Sequence, residues 1–138
     1  MHLAAALMQK AGLPPGALRI LDPEPELMAA WTRRAHAVGM SHLRSPPVHN
    51  VDVGAWSLQR FAETWTSKSK APAFAPPYSR PSTALFAAHA KAVIARLGLD
   101  ALHVRARATS LMPRRDTWSI ECDDGRTLEG TRVVLALG

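Results

Sequence analysis

Thr131-Arg-Val-Val-Leu-Ala-Leu-Gly138 is the stretch whose reading decides the fold class of this chain. Val133, Val134, Leu135, Ala136 and Leu137 follow one another without polar alternation. That is the pattern of a strand buried on both faces in a parallel sheet covered by helices. Parallel α/β sheets take ligands at the carboxyl ends of their strands. Gly138 falls at that edge, where the lack of a side chain lets backbone approach a ligand. An ordinary buried strand followed by a turn glycine accounts for the same residues.

The opening of the chain carries a matching signal. His2-Leu-Ala-Ala-Ala-Leu-Met-Gln-Lys10 is rich in strong helix formers, and Gly12-Leu-Pro-Pro-Gly16 stops the helix. Leu18-Arg-Ile-Leu21 then reads as a short strand ending at Asp22-Pro23. Helix, turn, strand and terminal acid make up the second half of a dinucleotide-binding βαβ unit, whose carboxylate accepts hydrogen bonds from a ribose. No two of the eight glycines are spaced as G-x-G, so the phosphate-binding loop of such a unit is missing. Asp22 equally suits a cap for the segment that follows it.

Composition bounds the alternatives. At 138 residues and 47% hydrophobic, the chain supports one modest core and is not disordered by composition. The formal charge of +6 suits a nucleic acid, an acidic surface or an anionic cofactor. The arginines are scattered, however, as on a solvated surface. Cys122 is the only cysteine, which excludes an internal disulfide and a cysteine-based zinc site. No apolar run is long enough to span a bilayer, and residues 1–10 lack the cationic lead of a signal peptide, so a cytoplasmic protein is expected.

Between these ends the pattern predicts a helix over 25–38 with Leu27, Met28, Trp31 and Ala35 on one face, closed by Gly39. An ordered loop follows over 40–52, then a second helix over 54–68 and a proline-rich extended segment over 71–78. Ser82 caps a helix whose apolar face is Leu85, Phe86, Ala90, Val93, Ile94 and Leu97, with Gly98 at its end. Residues 102–109 and 118–122 alternate as half-exposed strands, with Asp123-Asp-Gly125 as the hairpin turn and Leu128 opening a return strand. The strand of residues 17–21 is expected to run parallel to that of 132–137 in one sheet, beneath the helix of residues 85–97.

Taken together, Leu21-Asp-Pro23, Trp31, Gly39-Met40, Leu43-Arg-Ser-Pro46 with His49, Tyr78-Ser-Arg80-Pro-Ser82, Trp118, Asp124-Gly125 and Val134-Leu-Ala-Leu-Gly138 resemble FAD-dependent oxidoreductases of the two-dinucleotide-binding-fold class. Within it they are most similar to FAD/NAD(P)-binding proteins related to lysine and ornithine N-hydroxylases. The resemblance implies an α/β fold: a partial Rossmann-like FAD-binding domain over residues 1–138, with a small antiparallel meander. It implies FAD as cofactor, with NAD(P)H and a small-molecule substrate in the full-length protein. On it, Asp22 holds the ribose of the FAD adenosine, and the strand around Ala108 offers backbone groups to the adenine. Leu137 and Gly138 return the chain to the flavin-pyrophosphate region. Arg44, Ser45, Pro46 and His49 belong to the loop approaching the isoalloxazine, with Arg44 facing a cofactor phosphate or NADPH or pairing with Asp52. His42 and His49 read as hydrogen-bonded structural histidines, because the flavin does the redox work. No metal site is expected.

Relative to that class the first strand, the glycine loop and the nicotinamide domain are missing. The chain is therefore expected to be a fragment that is inactive in isolation, holds FAD weakly and associates through uncovered sheet edges. Two other classes stay open. Arg105, Arg107, Arg114 and Arg115 suit a basic anion- or nucleic-acid-binding module, although no stacking-aromatic pattern accompanies them. A non-catalytic interaction protein on a degenerate dinucleotide fold is the other.

Overall fold

The computed structural model describes residues 1–48, 51–65 and 72–136. Helix α1 (His2–Gln9) buries Ala4 and Ala5 and ends before Gly12. Gly12 has φ +66°, a left-handed conformation that costs other residues a steric penalty. A short 3-10 turn at Pro15–Ala17 then feeds strand β1 (Ile20–Asp22). Helix α2 (Ala29–Ala37) starts four residues later than the predicted 25, because Met28 takes a left-handed φ of 73° and breaks the run. Helix α3 (Ser57–Thr64) is shorter than the predicted span at its amino end, where residues 51–56 form bends and turns. It also ends short of the predicted 68, because Trp65 turns extended at φ −81° and ψ 120° and stops the helix at Thr64; residues 66–68 lie outside the described residues.

In the proline-rich segment, strand β2 (Phe74–Ala75) pairs antiparallel with strand β3 (Arg80–Pro81). Helix α4 (Thr83–Leu97) is built as its sequence signals require. The Ser82 Oγ accepts the Leu85 N–H at 3.1 Å, and Gly98 closes the helix with φ 63°. Its buried face runs through Leu85, His89 and Val93, four residues apart, beside Ala90 and Ile94.

A second 3-10 turn at Leu99–Leu102 leads into strand β4 (His103–Arg105), which runs parallel to β1 with Ile20 opposite His103 and Asp22 opposite Arg105. Strands β5 (Ala108–Pro113), β6 (Trp118–Cys122) and β7 (Thr127–Gly130) form the expected antiparallel meander. Gly125, with φ 83°, turns the second hairpin, and its N–H donates to Cys122 O at 3.1 Å. The predicted continuous strand over 102–109 is divided between two sheets, β4 in the parallel pair and β5 in the meander.

The largest correction concerns the apolar run of the opening analysis. Residues 131–136 form no strand, and Val134 and Leu135 are 64% and 65% exposed. The parallel partner of β1 is β4, and residues 132–136 do not pair with it, while Leu137 lies outside the described residues. A strand exists only through a hydrogen-bonded neighbour, and none of the described strands pairs with 131–136.

The core lies instead around α4. Ile94, Leu99 and Leu102 join Ala4 and Leu27 in one cluster, with Leu18, Ile20 and Leu97 packed against it. Val51, Ala90 and Val93 form a second, which Phe86 and Met28 adjoin. Leu97 thus shares a cluster with Leu18 and Ile20 at the start of β1, whereas Phe86 meets Trp31, beyond its end, at 4.8 Å between ring centroids. Helix α4 therefore runs antiparallel to β1 and β4, and its amino end returns to the side of their carboxyl ends. Among the described residues no helix is long and apolar enough to cross a membrane.

Candidate functional site

Asp22 is the last residue of β1, as expected, and is partly exposed. Its Oδ1 accepts the Glu24 N–H at 3.0 Å, closing the turn that leaves the strand. Its Oδ2 carries no hydrogen bond among the described residues. The carboxylate thus closes its turn through one oxygen and keeps a second acceptor unengaged by the described residues. Asp22 O receives the His103 Nε2–H at 3.1 Å; a carbonyl can only accept, so this ring nitrogen holds the proton.

Burial pushes the Met1 ammonium at the amino end of α1 below its ordinary range, against the opposing pull of the Asp22 charge. Helix α1 has no capping hydrogen bond from a side chain and no acid in its first turn. Its first N–H groups thus remain donors at a positive dipole end.

Beyond Asp22 the charges are arranged in pairs. Glu24 takes a bidentate pair of hydrogen bonds from Arg33 at 2.7 and 2.8 Å, and those bonds hold its carboxyl below the usual carboxylate range. This pair ties α2 back to the end of β1.

On the β4 side the chain turns into the meander through exposed Arg107, whose N–H donates to Asp123 at 2.9 Å. Arg126 pairs with Asp124 and donates to Arg105 O at 2.8 Å. Ala108, exposed at the start of β5, follows three residues after Arg105, which stands opposite Asp22. Ala108 thus belongs to the meander and not to the parallel pair. Close by, a groove of about 560 Å³ opens between the 25–32 segment and α4, with Trp31, Lys91 and His103 among its walls. Asp22 is not one of them, so the acid flanks this groove without lining it.

Arg44, Ser45 and Pro46 are exposed in the loop that leads away from Leu43. That loop is docked on the amino end of α4: Leu43 N–H donates to Pro81 O at 2.8 Å, and Thr83 N–H to Ser41 O at 2.9 Å. His42 bridges Ser41 Oγ and Pro72 O, both at 3.2 Å, which is the structural role expected of it. Arg44 does not pair with Asp52. Asp52 is held by Arg96 at 2.8 Å, Gln9 at 3.0 Å and the Val53 N–H at 2.9 Å. Partial burial pushes the Asp52 carboxyl up, but those hydrogen bonds and the Arg96 charge outweigh it and hold the group below its ordinary range. Pro46 lines a separate cleft with Trp56 and Phe74. His49, Leu137 and Gly138 lie outside the described residues.

The sequence reading missed His89 and Gln59. His89 is 3% exposed, its Nδ1 has no partner among the described residues, and its ring meets Phe61 at 5.4 Å. Its position four residues after Leu85 and four before Val93 was the available signal. Gln59 has a buried Oε1 without a partner among the described residues; no local pattern marks it.

Among the described residues no group of three or more His, Cys, Asp or Glu side chains is placed to hold a metal. No curated protein and no solved structure matches the chain. A family model described as FAD-NAD(P)-binding, in contrast, matches residues 1–138. Helix, strand and terminal acid at the edge of a parallel pair are the local geometry such a domain needs, and the match spans all of it: the chain belongs to the FAD-NAD(P)-binding family.

Proposed function

We propose that this domain serves an NAD(P)H-dependent flavin monooxygenase of the type related to lysine and ornithine N-hydroxylases, and that the β1–β4 edge holds the adenosine half of FAD. The observation that carries the placement is Asp22, at the carboxyl end of a parallel strand with one oxygen fixed by Glu24 and the other open to a ribose hydroxyl. The uncapped amino end of α1 suits the pyrophosphate, because orphan N–H groups and the helix dipole both favour an anion there. Backbone groups around Ala108 face the adenine. Arg44, Ser45, Pro46 and His49, with Leu137 and Gly138, are assigned to the flavin side.

When bound, FAD supplies the redox chemistry, and the residues of this chain bind and orient it. Without a G-x-G-x-x-G loop in these 138 residues, they hold FAD weakly, and β1 and β4, which pair only with each other among the described residues, leave strand edges that favour association.

Weak binding selects the experiment: FAD is titrated into the chain and amide NMR shifts are followed. Shifts are expected at Asp22, Glu24 and Ala108, and Asp22→Ala should weaken binding by about 1–3 kcal/mol, the worth of a charged hydrogen bond. Unchanged affinity would leave Asp22 as the cap of its turn and remove it from the cofactor site.

A further inference from the structure

Helix α3 is held to the domain by little. It is eight residues long, no side chain caps it, and of its residues only Leu58 is buried. An isolated helix of that length is unstable in water, so packing against α4 is what keeps it formed. An element with so few buried contacts opens locally at far lower cost than the core unfolds. At the contact, the ring of Phe61 meets that of His89 on α4 at 5.4 Å.

His89 is 3% exposed, and its Nδ1 is buried without a partner among the described residues. A protonated imidazole donates from both nitrogens, so charging His89 would bury an N–H with no acceptor beside Phe61. The charges that act on the ring are already committed. They are Asp52, in the segment leading to α3, and Arg96, in the last turn of α4. The two pair with each other at 2.8 Å, and Asp52 also accepts from Gln9 and from the Val53 N–H. On α3 the charged residues are Arg60 and Glu63, both exposed. Burial, with the Arg96 charge, thus lowers the His89 pKa against the pull of Asp52.

We propose that His89 and α3 form an acid-sensitive latch, in which protonation of the imidazole releases α3 from α4 while the core around α4 stays folded. Trp56 and Gln59 share a cleft with Pro46 and Phe74, and with α3 released that cleft loses one wall. The docked state binds fewer protons than the released one. Docking is therefore complete above the ordinary histidine pKa of about 6.5 and weakens below it, by at most about tenfold per pH unit for one proton. The latch goes beyond the FAD reading and does not rest on it, since it works without cofactor.

The test measures amide hydrogen-exchange protection in the full chain at about pH 7.5 and about pH 5.5, corrected for the intrinsic exchange rates. Asp52, held below its ordinary range, stays ionised over this interval. Protection of Phe61 and Ala62 in α3 is expected to fall about 3- to 10-fold at the lower pH, and to lie at least about 10-fold below that of Ala90 and Val93 in α4. In His89→Phe and in His89→Gln, which carry no titrating ring, the α3 protection should not fall. No fall in the unchanged protein overturns the latch whatever the variants do. Equal protection of α3 and α4 at the lower pH also overturns it, because acid then opens the domain as a whole. So does a fall that persists in a folded His89 variant, which assigns the proton to another group.

Discussion

Helix α4 and residues 131–136 are both strongly apolar, yet they end in opposite environments. Leu85 in α4 is fully buried, and Ala90 and Val93 are 1% and 2% exposed, whereas Val134 and Leu135 remain about two-thirds in solvent. The difference is not hydrophobicity per residue. Helix α4 satisfies its own backbone through i to i−4 bonds and then needs only neighbours for one face. A strand must find a partner edge before any side chain is covered. Apolar sequence therefore predicts burial well in a helix and only conditionally in a strand.

The comparison breaks most decisively at Leu85. Leu85→Ala should destabilise the domain by about 2–5 kcal/mol in urea unfolding, as buried leucines do when a cavity replaces them. A cost below about 1 kcal/mol would mean that the core is not centred on α4.

A smaller and pH-dependent loss comes from His89 on the same face. Burial, with the Arg96 charge, lowers its pKa below the ordinary histidine value, against the opposing pull of Asp52. The folded protein then binds fewer protons than the unfolded chain. Stability from this group is present above the unfolded pKa of about 6.5 and is lost as pH falls below it. A melting temperature that declines below about pH 6.5, with the decline flattened in His89→Phe, is the expected result; identical pH profiles in both proteins would remove His89 as the cause.

Ser82→Ala should cost about 1 kcal/mol, the usual worth of an N-cap, measured by the same urea unfolding. Ser82→Asp, which restores an acceptor, should recover most of it. The smallest effect belongs to the terminal run. Leu135→Ser should change stability by no more than about 0.5 kcal/mol. A loss comparable to that of Leu85→Ala would show that residues 131–136 are covered in solution and would bring the two regions back together.

Of the candidate site, the place of Asp22 at a strand end was legible because strand ends carry local signals: a short apolar run, then an acid and a proline. The Arg33 to Glu24 pair and the His103 contact to Asp22 O were not, since they join residues 9 and 81 apart. The cleft between Pro46, Trp56 and Phe74 was hidden for the same reason, being assembled from three segments separated along the chain.

By itself the sequence determined what depends on near neighbours. Helix α4 between Ser82 and Gly98, the β6–β7 turn at Asp123-Asp-Gly125 and the stop after α1 all follow from local backbone preference, hydrogen bonds a few residues apart, and spacing. Tertiary structure alone decided that β1 takes β4 as its parallel partner, that residues 102–109 divide between two sheets, and that Asp52 binds Arg96 rather than Arg44. Those outcomes are competitions among distant edges and charges. Strand pairing and ion pairing reward whichever partner the packed chain brings within a few ångströms, and sequence distance carries no record of that proximity.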